Sequence, residues 1–188
     1  EGINVEASVL DPSAQTRMAY VVTTSSGDRK LAEFSRIACA DSKLQPNDLK
    51  QHLFASASVL HFGSISLIES PAQESTKKAV EMARANKMLV SYDPNETCRK
   101  TILNTLSWAD VVKINEDELE FLTGSRDTSA AEKLREEHNV PLLIITLDSR
   151  GAYFVTKHGG KQVPGFQVEL VEATGAGDGF NSGVIAGL

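Results

Sequence analysis

The sequence predicts an α/β fold in which helices cover a mostly parallel sheet. Short apolar runs at residues 59–62, 88–92, 110–114 and 142–147 alternate with longer, more polar segments of helical spacing. Such runs are typical of buried parallel strands, and the segments between them are long enough to form crossover helices. A small antiparallel piece near the N-terminus completes the prediction.

Composition places the chain among ordinary globular proteins. Its 188 residues fit one domain, with 41% hydrophobic and 23% charged residues. The net charge of -6 disfavours a partner that presents many phosphates, since such partners reward a basic surface. The apolar run at 142–147 is far too short to cross a bilayer. We therefore predict no nucleic-acid partner and no membrane partner.

The two cysteines and the chain ends bear on location. Cys39 and Cys98 are far apart and form no C-x-x-C motif, which favours a reducing compartment, most simply the cytoplasm. The chain begins with Glu1 rather than Met and stops within an apolar run, so we expect a fragment. An upstream transit peptide would direct the protein to a plastid instead.

One hairpin is predicted before the parallel strands in the chain and one after them. Residues 16–24 and 30–35 favour β structure and flank the turn formers at 25–28. Near the C-terminus, residues 152–156 and 162–163 flank a glycine turn at 158–161.

Capping signals predict two helices between the strands. Ser70 is a candidate cap, Pro71 suits a first turn and Gln73 suits a capping box, which predicts a helix from Pro71 to about residue 86. Asn115 precedes three acidic residues, and Gly124 is placed to end the short helix that follows.

Four polar loops follow the predicted strands. They comprise residues 93–95, 115–118, 146–151 and 174–178. Ligands of open α/β sheets bind beyond the carboxyl ends of the strands, so these loops are the candidate site.

The loop at 174–178 has the composition of an anion site. Its small residues let backbone N–H groups approach an anion, and the helix that follows adds partial positive charge. The spacing and apolar content of residues 181–186 predict that this helix is buried. Asp178 should stay ionised there and could accept the proton of an attacking hydroxyl. In the alternative, the glycines only allow close helix packing and Asp178 only balances the helix dipole. The spacing leaves both interpretations open.

The segment Thr-Gly-Ala-Gly-Asp-Gly-Phe at 174–180 resembles the C-terminal motif of ribokinase-like (PfkB) sugar kinases. Segments 62–67, 91–95 and 113–118 are similar to fructokinase segments, especially those of plants. The resemblance implies a three-layer α/β/α fold, with residues 1–188 as part of one kinase domain and residues 14–36 as an antiparallel lid. It also implies that Asp178 is the catalytic base and that Gly175, Ala176 and Gly177 form the anion hole.

The same resemblance implies positions for the nucleotide and for Mg²⁺. Asn115 and Glu118 match the family's Asn-x-x-Glu motif, in which Asn115 would help place the ATP phosphates and Glu118 would hold Mg²⁺ through water. A simple capping box explains the same two residues. Thr146, Asp148 and Gly151 resemble the family's nucleotide-binding turn, although the family often has glycine where Asp148 stands. A plain β-turn is the alternative there.

The sequence also departs from the family pattern. Glu172 and Ala173 stand where the family usually has Asp-Thr, in a region that often binds a monovalent cation. Glu172 and Thr174 are therefore the candidates for a K⁺ site that the sequence itself puts in doubt.

Two further departures concern the sugar side. The Asp-Pro-Asn segment at 93–95 lacks the arginine that commonly follows it, and the sequence leaves open whether Arg99 replaces it. The N-terminal hairpin lacks an asparagine of the fructokinase lid, so a plain edge hairpin is its alternative.

We predict ATP-dependent phosphorylation of a sugar hydroxyl, with fructose as the preferred substrate and ATP and Mg²⁺ as cofactors. Alternatives within the class are ribose, 2-keto-3-deoxygluconate or a nucleoside, because the segments that usually grip the sugar would precede Glu1. A noncatalytic relative and, more remotely, a dinucleotide-binding oxidoreductase are alternatives from other classes. A lid of this family can form a homodimer, and the 188-residue chain alone is predicted to lack turnover.

Overall fold

A six-stranded mixed sheet forms the centre of the computed structural model, which describes residues 2–23, 29–34, 39–95, 97–169, 171 and 173–188. The strands are ordered β3 (Val59–Gly63), β4 (Leu89–Asp93), β5 (Val111–Asn115), β6 (Leu142–Thr146), β7 (Ala152–Thr156) and β8 (Gly159–Val163). Strands β3 to β6 are parallel, whereas β7 and β8 are antiparallel. The predicted α/β class with a mostly parallel sheet is confirmed.

The helices of the described residues connect or follow these strands. They are α1 (Gln51–Ser56), α2 (Ala72–Ala85), α3 (Arg99–Thr105), α4 (Glu116–Thr123), α5 (Thr128–Glu137) and α6 (Ala176–Gly187). None of the described helices is both long enough and apolar enough to span a membrane.

Alternation along the strands divides the core into two parts. On one face, Val112, Ile114 and their equivalents on neighbouring strands pack against buried residues of α2, α3, α4 and α5. On the other face, Val111 and Ile144 form a smaller cluster with Phe180 and Val184 of α6. Helices on both faces of a sheet make a three-layer α/β/α arrangement.

The N-terminal hairpin forms a separate two-stranded sheet. Strands β1 (Ala19–Thr23) and β2 (Arg29–Phe34) pair antiparallel, with an irregular register after Tyr20. The predicted turn at 25–28 lies outside the described residues. The function of this hairpin as a lid stays a prediction.

Helix α2 lies where the sequence predicts it, to about one residue at each end, but its cap differs from the prediction. Pro71, not Ser70, occupies the cap position, and no side chain caps the helix. Gln73 does not complete a capping box, because its amide donates to the carbonyl of Leu67 at 3.3 Å. A side-chain contact with the preceding turn thus stands in place of the predicted capping box.

The β7–β8 turn and helix α6 also differ from the sequence-based predictions. The turn between β7 and β8 lies at residues 157–158, and Gly159 and Gly160 begin β8 instead of forming the turn. Helix α6 was expected to be buried, but Asn181 is its one buried residue. Only one side of α6 packs on the sheet, through Phe180 and Val184.

Candidate active site

The four predicted loops meet in one cleft of about 760 Å³. The cleft lies beyond the carboxyl ends of β4, β5 and β6, where the parallel strands deliver their following loops to the same edge of the sheet. Nine sequence-predicted residues line it: Asn115, Glu118, Thr146, Asp148, Gly151, Gly175, Ala176, Gly177 and Asp178.

The start of α6 forms one wall of the cleft. Gly175 is the cap residue, so Gly177 and Asp178 lie in the first helical turn. Among the described residues, the backbone N–H groups of Gly177 and Asp178 have no acceptor, whereas the N–H of Ala176 donates to Ala173 at 3.1 Å. Asp178 is exposed to the cleft. Two donors and a carboxylate thus share one helical turn beside an open space.

Asn115 and Glu118 form the predicted capping box at the start of α4. The Asn115 side chain accepts from the Glu118 N–H at 2.8 Å, and the Glu118 carboxylate accepts from the Asn115 N–H at 2.7 Å. Gly124 ends the helix in the left-handed conformation, as predicted. The capping role is therefore real, and the same two residues also line the cleft.

The turn after β6 has a backbone that restricts its residues. Asp148 has a φ of +50°, in the left-handed region that glycine adopts without steric cost and that aspartate tolerates better than most residues. Gly151 has a φ of +94°, and a Cβ there would lie 2.0 Å from the carbonyl oxygen of Val163. Glycine at 151 lets the connector after β8 close over this turn.

Two residues that bind Asp93 of the cleft were not singled out from the sequence. Lys113 lies inside β5, where its Nζ donates to both carboxylate oxygens of Asp93 at 3.2 Å. The Asn181 amide of α6 donates to the same Asp93 at 2.5 Å. A lysine within the otherwise apolar run 111–114 was the available signal.

The Asp-Pro-Asn loop after β4 is held from below by Ser64. The Ser64 hydroxyl accepts from the N–H of Asn95 at 2.9 Å and donates to its carbonyl at 3.1 Å. Arg99 does not enter the cleft, because Nε and Nη2 of its guanidinium donate to the Leu122 carbonyl at 3.0 and 2.6 Å. Arg99 therefore does not replace the arginine that the sequence lacks.

One of the two candidate K⁺ residues lies within the described part of the chain. Glu172 lies outside the described residues. Thr174 is exposed and does not line the described cleft. The K⁺ site stays a prediction.

The cleft is rich in oxygen atoms that can bind a metal ion. Carboxylates of Asp93, Asp117, Glu118, Asp148 and Asp178 line it. Within the described part of the chain, no three histidine, cysteine or acidic residues cluster as a self-contained metal site. Hard cations such as Mg²⁺ prefer oxygen ligands and are commonly held by one or two carboxylates together with substrate phosphates and water. The donors present fit that mode of binding.

Comparison with known proteins agrees with this fold. The model of the pfkB family carbohydrate kinases matches residues 1–188. A probable fructokinase-2 of Arabidopsis thaliana is 38% identical over 190 residues, covering 96% of this chain and 56% of the relative. Fructokinase-2 of Solanum lycopersicum is 39% identical over 189 residues, covering 95% of this chain and 57% of the relative.

Solved structures of fructokinases share the fold of this chain. The Vibrio cholerae O395 fructokinase, crystallised with fructose, ADP and calcium, has a TM-score of 0.78 at 29% identity and covers 93% of this chain and 59% of that protein. The Xylella fastidiosa fructokinase with bound ATP has a TM-score of 0.81 at 27% identity and covers 93% of this chain and 57% of that protein.

A mostly parallel sheet with helices on both faces and a cleft at the carboxyl ends of its strands is the ribokinase-like α/β fold that these neighbours share. The chain belongs to the pfkB family of carbohydrate kinases. It spans a little more than half the length of the curated relatives described above.

Proposed function

We propose that this protein transfers the γ-phosphoryl group of ATP to a hydroxyl of a sugar, most readily fructose. The observation that carries the proposal is the start of α6, where Asp178 and the two N–H groups without described acceptors face one cleft. Asn115, Glu118 and the turn at Gly151 line the same cleft.

The reaction follows from the chemistry of these groups. The sugar hydroxyl attacks the γ-phosphorus, the bond from that phosphorus to the β–γ bridging oxygen breaks, and ADP leaves. Asp178 accepts the hydroxyl proton as the new P–O bond forms. The N–H groups of Gly177 and Asp178 donate to the phosphoryl oxygens, whose negative charge is also favoured by the helix N-terminus.

The remaining cleft residues support nucleotide binding. The turn from Thr146 to Gly151, closed by the connector after β8, would hold the nucleotide, and Asn115 would orient its phosphates. Glu118 would hold Mg²⁺ through water. When bound, Mg²⁺ neutralises charge on the phosphates.

Fructose is proposed because curated relatives and structural neighbours are named fructokinases. The N-terminal hairpin would act as a lid over the sugar and could provide a homodimer contact. A cytoplasmic location and the absence of nucleic-acid and membrane partners stay predictions of the sequence.

The decisive experiment compares the full-length protein with its Asp178→Asn variant in an ATP-consumption assay across sugars and nucleosides. Loss of the base should lower fructose-dependent turnover by about 10²–10⁴-fold. The matched control is Glu74→Gln, because Glu74 is also an exposed first-turn acid, at the start of α2. It should keep full turnover.

Each outcome is informative. Equal losses in both variants would mean that Asp178 only balances a helix dipole. A folded wild-type protein without turnover on any acceptor would overturn the proposal in favour of a noncatalytic relative.

A further inference from the structure

Lys113 is a charged residue inside a buried strand, and the proposed reaction does not yet use it. The residue is 8% exposed, although its neighbours Val112 and Ile114 are fully buried apolar side chains. Lys113 lies on the same face of β5 as Val111, which packs in the cluster with α6. Burying an ammonium group is costly unless it is paired.

An ion pair with Asp93 offsets part of this cost. Lys113 Nζ donates to Oδ1 and Oδ2 of Asp93 at 3.2 Å each. Asn181 of α6 donates to Oδ2 of the same carboxylate at 2.5 Å. Asp93 and Asn181 thus hold the ammonium group between β4, β5 and α6.

The ammonium group also lies against the proposed anion hole. A Cβ built on Gly177 would be 3.1 Å from Lys113 Nζ, so the ammonium adjoins the helix turn whose N–H groups lack described acceptors. An ammonium has three hydrogens. Asp93 is the sole acceptor of Nζ among the described residues, and it takes two of them.

Negative charge dominates the lining of the cleft. Among the described residues that line it, Lys113 is the one cationic side chain, against five carboxylates. A phosphoryl group that enters this cleft brings further negative charge. Lys113 is the fixed positive charge that it can meet beside the helix start.

We infer that Lys113 contacts the transferred phosphoryl group, with Asp93 and Asn181 as the residues that position it. This inference rests on the proposed kinase function. Lys113 would donate a hydrogen bond to a non-bridging phosphoryl oxygen and would lose no proton. The proton of the sugar hydroxyl still passes to Asp178, and ADP still leaves with the bridging oxygen.

The test uses the full-length protein and two variants. Lys113→Met keeps the length of the side chain but leaves Asp93 as an unpaired carboxylate, which can unfold the protein. The double variant Lys113→Met with Asp93→Asn removes both charges, so its thermal unfolding should stay close to that of the wild type. Folding is checked by circular dichroism before any activity is interpreted.

Two readouts separate a phosphate contact from a structural ion pair. Fructose-dependent turnover of the double variant should fall by about 10²–10³-fold, as expected for loss of a group that stabilises transition-state charge. Calorimetry with Mg²⁺ should show about 10- to 100-fold weaker binding of a non-hydrolysable ATP analogue, which has the γ-phosphate. The affinity for ADP, which lacks it, should change little.

Three results would contradict the inference. If the double variant has wild-type turnover, the Lys113–Asp93 ion pair has a purely structural role. Equal weakening of analogue and ADP binding would indicate a general distortion of the cleft. Unchanged analogue binding would mean that Lys113 does not contact the γ-phosphate.

The proposed function fails separately. A wild-type protein without sugar-dependent turnover would defeat that function, while calorimetry would still decide whether Lys113 contacts the γ-phosphate.

Discussion

At the residue scale, the absence of a side chain at Gly177 keeps space beside Lys113. A methyl group at 177 would approach Lys113 Nζ to 3.1 Å, which is tighter than most real Cβ contacts. We predict that Gly177→Ala lowers phosphoryl transfer by about tenfold or more, because displacement of a catalytic group by a fraction of an ångström is costly. Single-turnover kinetics of the full-length protein measure the loss of phosphoryl transfer, and thermal unfolding measures any change in stability separately.

Gly183 provides the matched control on the same helix. A Cβ there meets nothing within 4 Å, and the residue is exposed. Gly183→Ala should leave turnover unchanged and raise the free energy of unfolding by roughly 0.5–1 kcal/mol, since alanine is the better helix former. If Gly177→Ala behaves in the same way, space beside Lys113 is not needed for the reaction.

At the scale of single elements, α4 separates a structural role of Asn115 from a functional one. Asp caps helices about as well as Asn, so Asn115→Asp should change the free energy of unfolding by less than about 0.5 kcal/mol, whereas Asn115→Ala should cost about 1 kcal/mol. The added carboxylate faces a cleft proposed to bind phosphates, so Asn115→Asp should reduce ATP-dependent turnover by about tenfold or more. Chemical denaturation and steady-state kinetics provide the measurements.

A different outcome would show that Asn115 serves only as the helix cap. In that case Asn115→Asp would be fully active, and any deficit of Asn115→Ala would follow its lost stability.

Local signals predicted some elements well and others poorly. The Asn115 cap and the Gly124 end of α4 were predictable, because the residues that form them lie within one short helix. The bounds of α2 were also predictable to about one residue, but its cap was not, since Gln73 bonds to Leu67 instead of completing a capping box. The exposure of α6 was also missed, because periodicity does not reveal how much of a helix its partners cover.

The site shows the same division. The glycine loop and the strand-end residues follow from chain order and the rule that parallel strands end at one edge. The grouping of Lys113, Asp93 and Asn181 joins three elements, and Asn181 is 88 residues from Asp93 in the chain. Local sequence patterns carry little information on such long-range pairs.

At the scale of the whole molecule, the charge of the protein opposes the ligand that we propose. The chain has a net charge of -6, and the described cleft has five carboxylates but one ammonium group. ATP is itself highly negative, so its binding here requires a cation that moves with the phosphates. Bound divalent ions are commonly the largest local charges in such sites.

Removal of divalent cations should therefore weaken binding of a non-hydrolysable ATP analogue by about 10- to 100-fold, which corresponds to about 1.4–2.7 kcal/mol. Calorimetry of the full-length protein with Mg²⁺ and with EDTA measures the change, and adenosine is the matched control because it has no phosphates. Adenosine affinity should be the same in both buffers. Equal affinity of the analogue with and without the cation would mean that the cleft accepts phosphates by its backbone donors and Lys113 alone, and that its carboxylates lie away from the bound nucleotide.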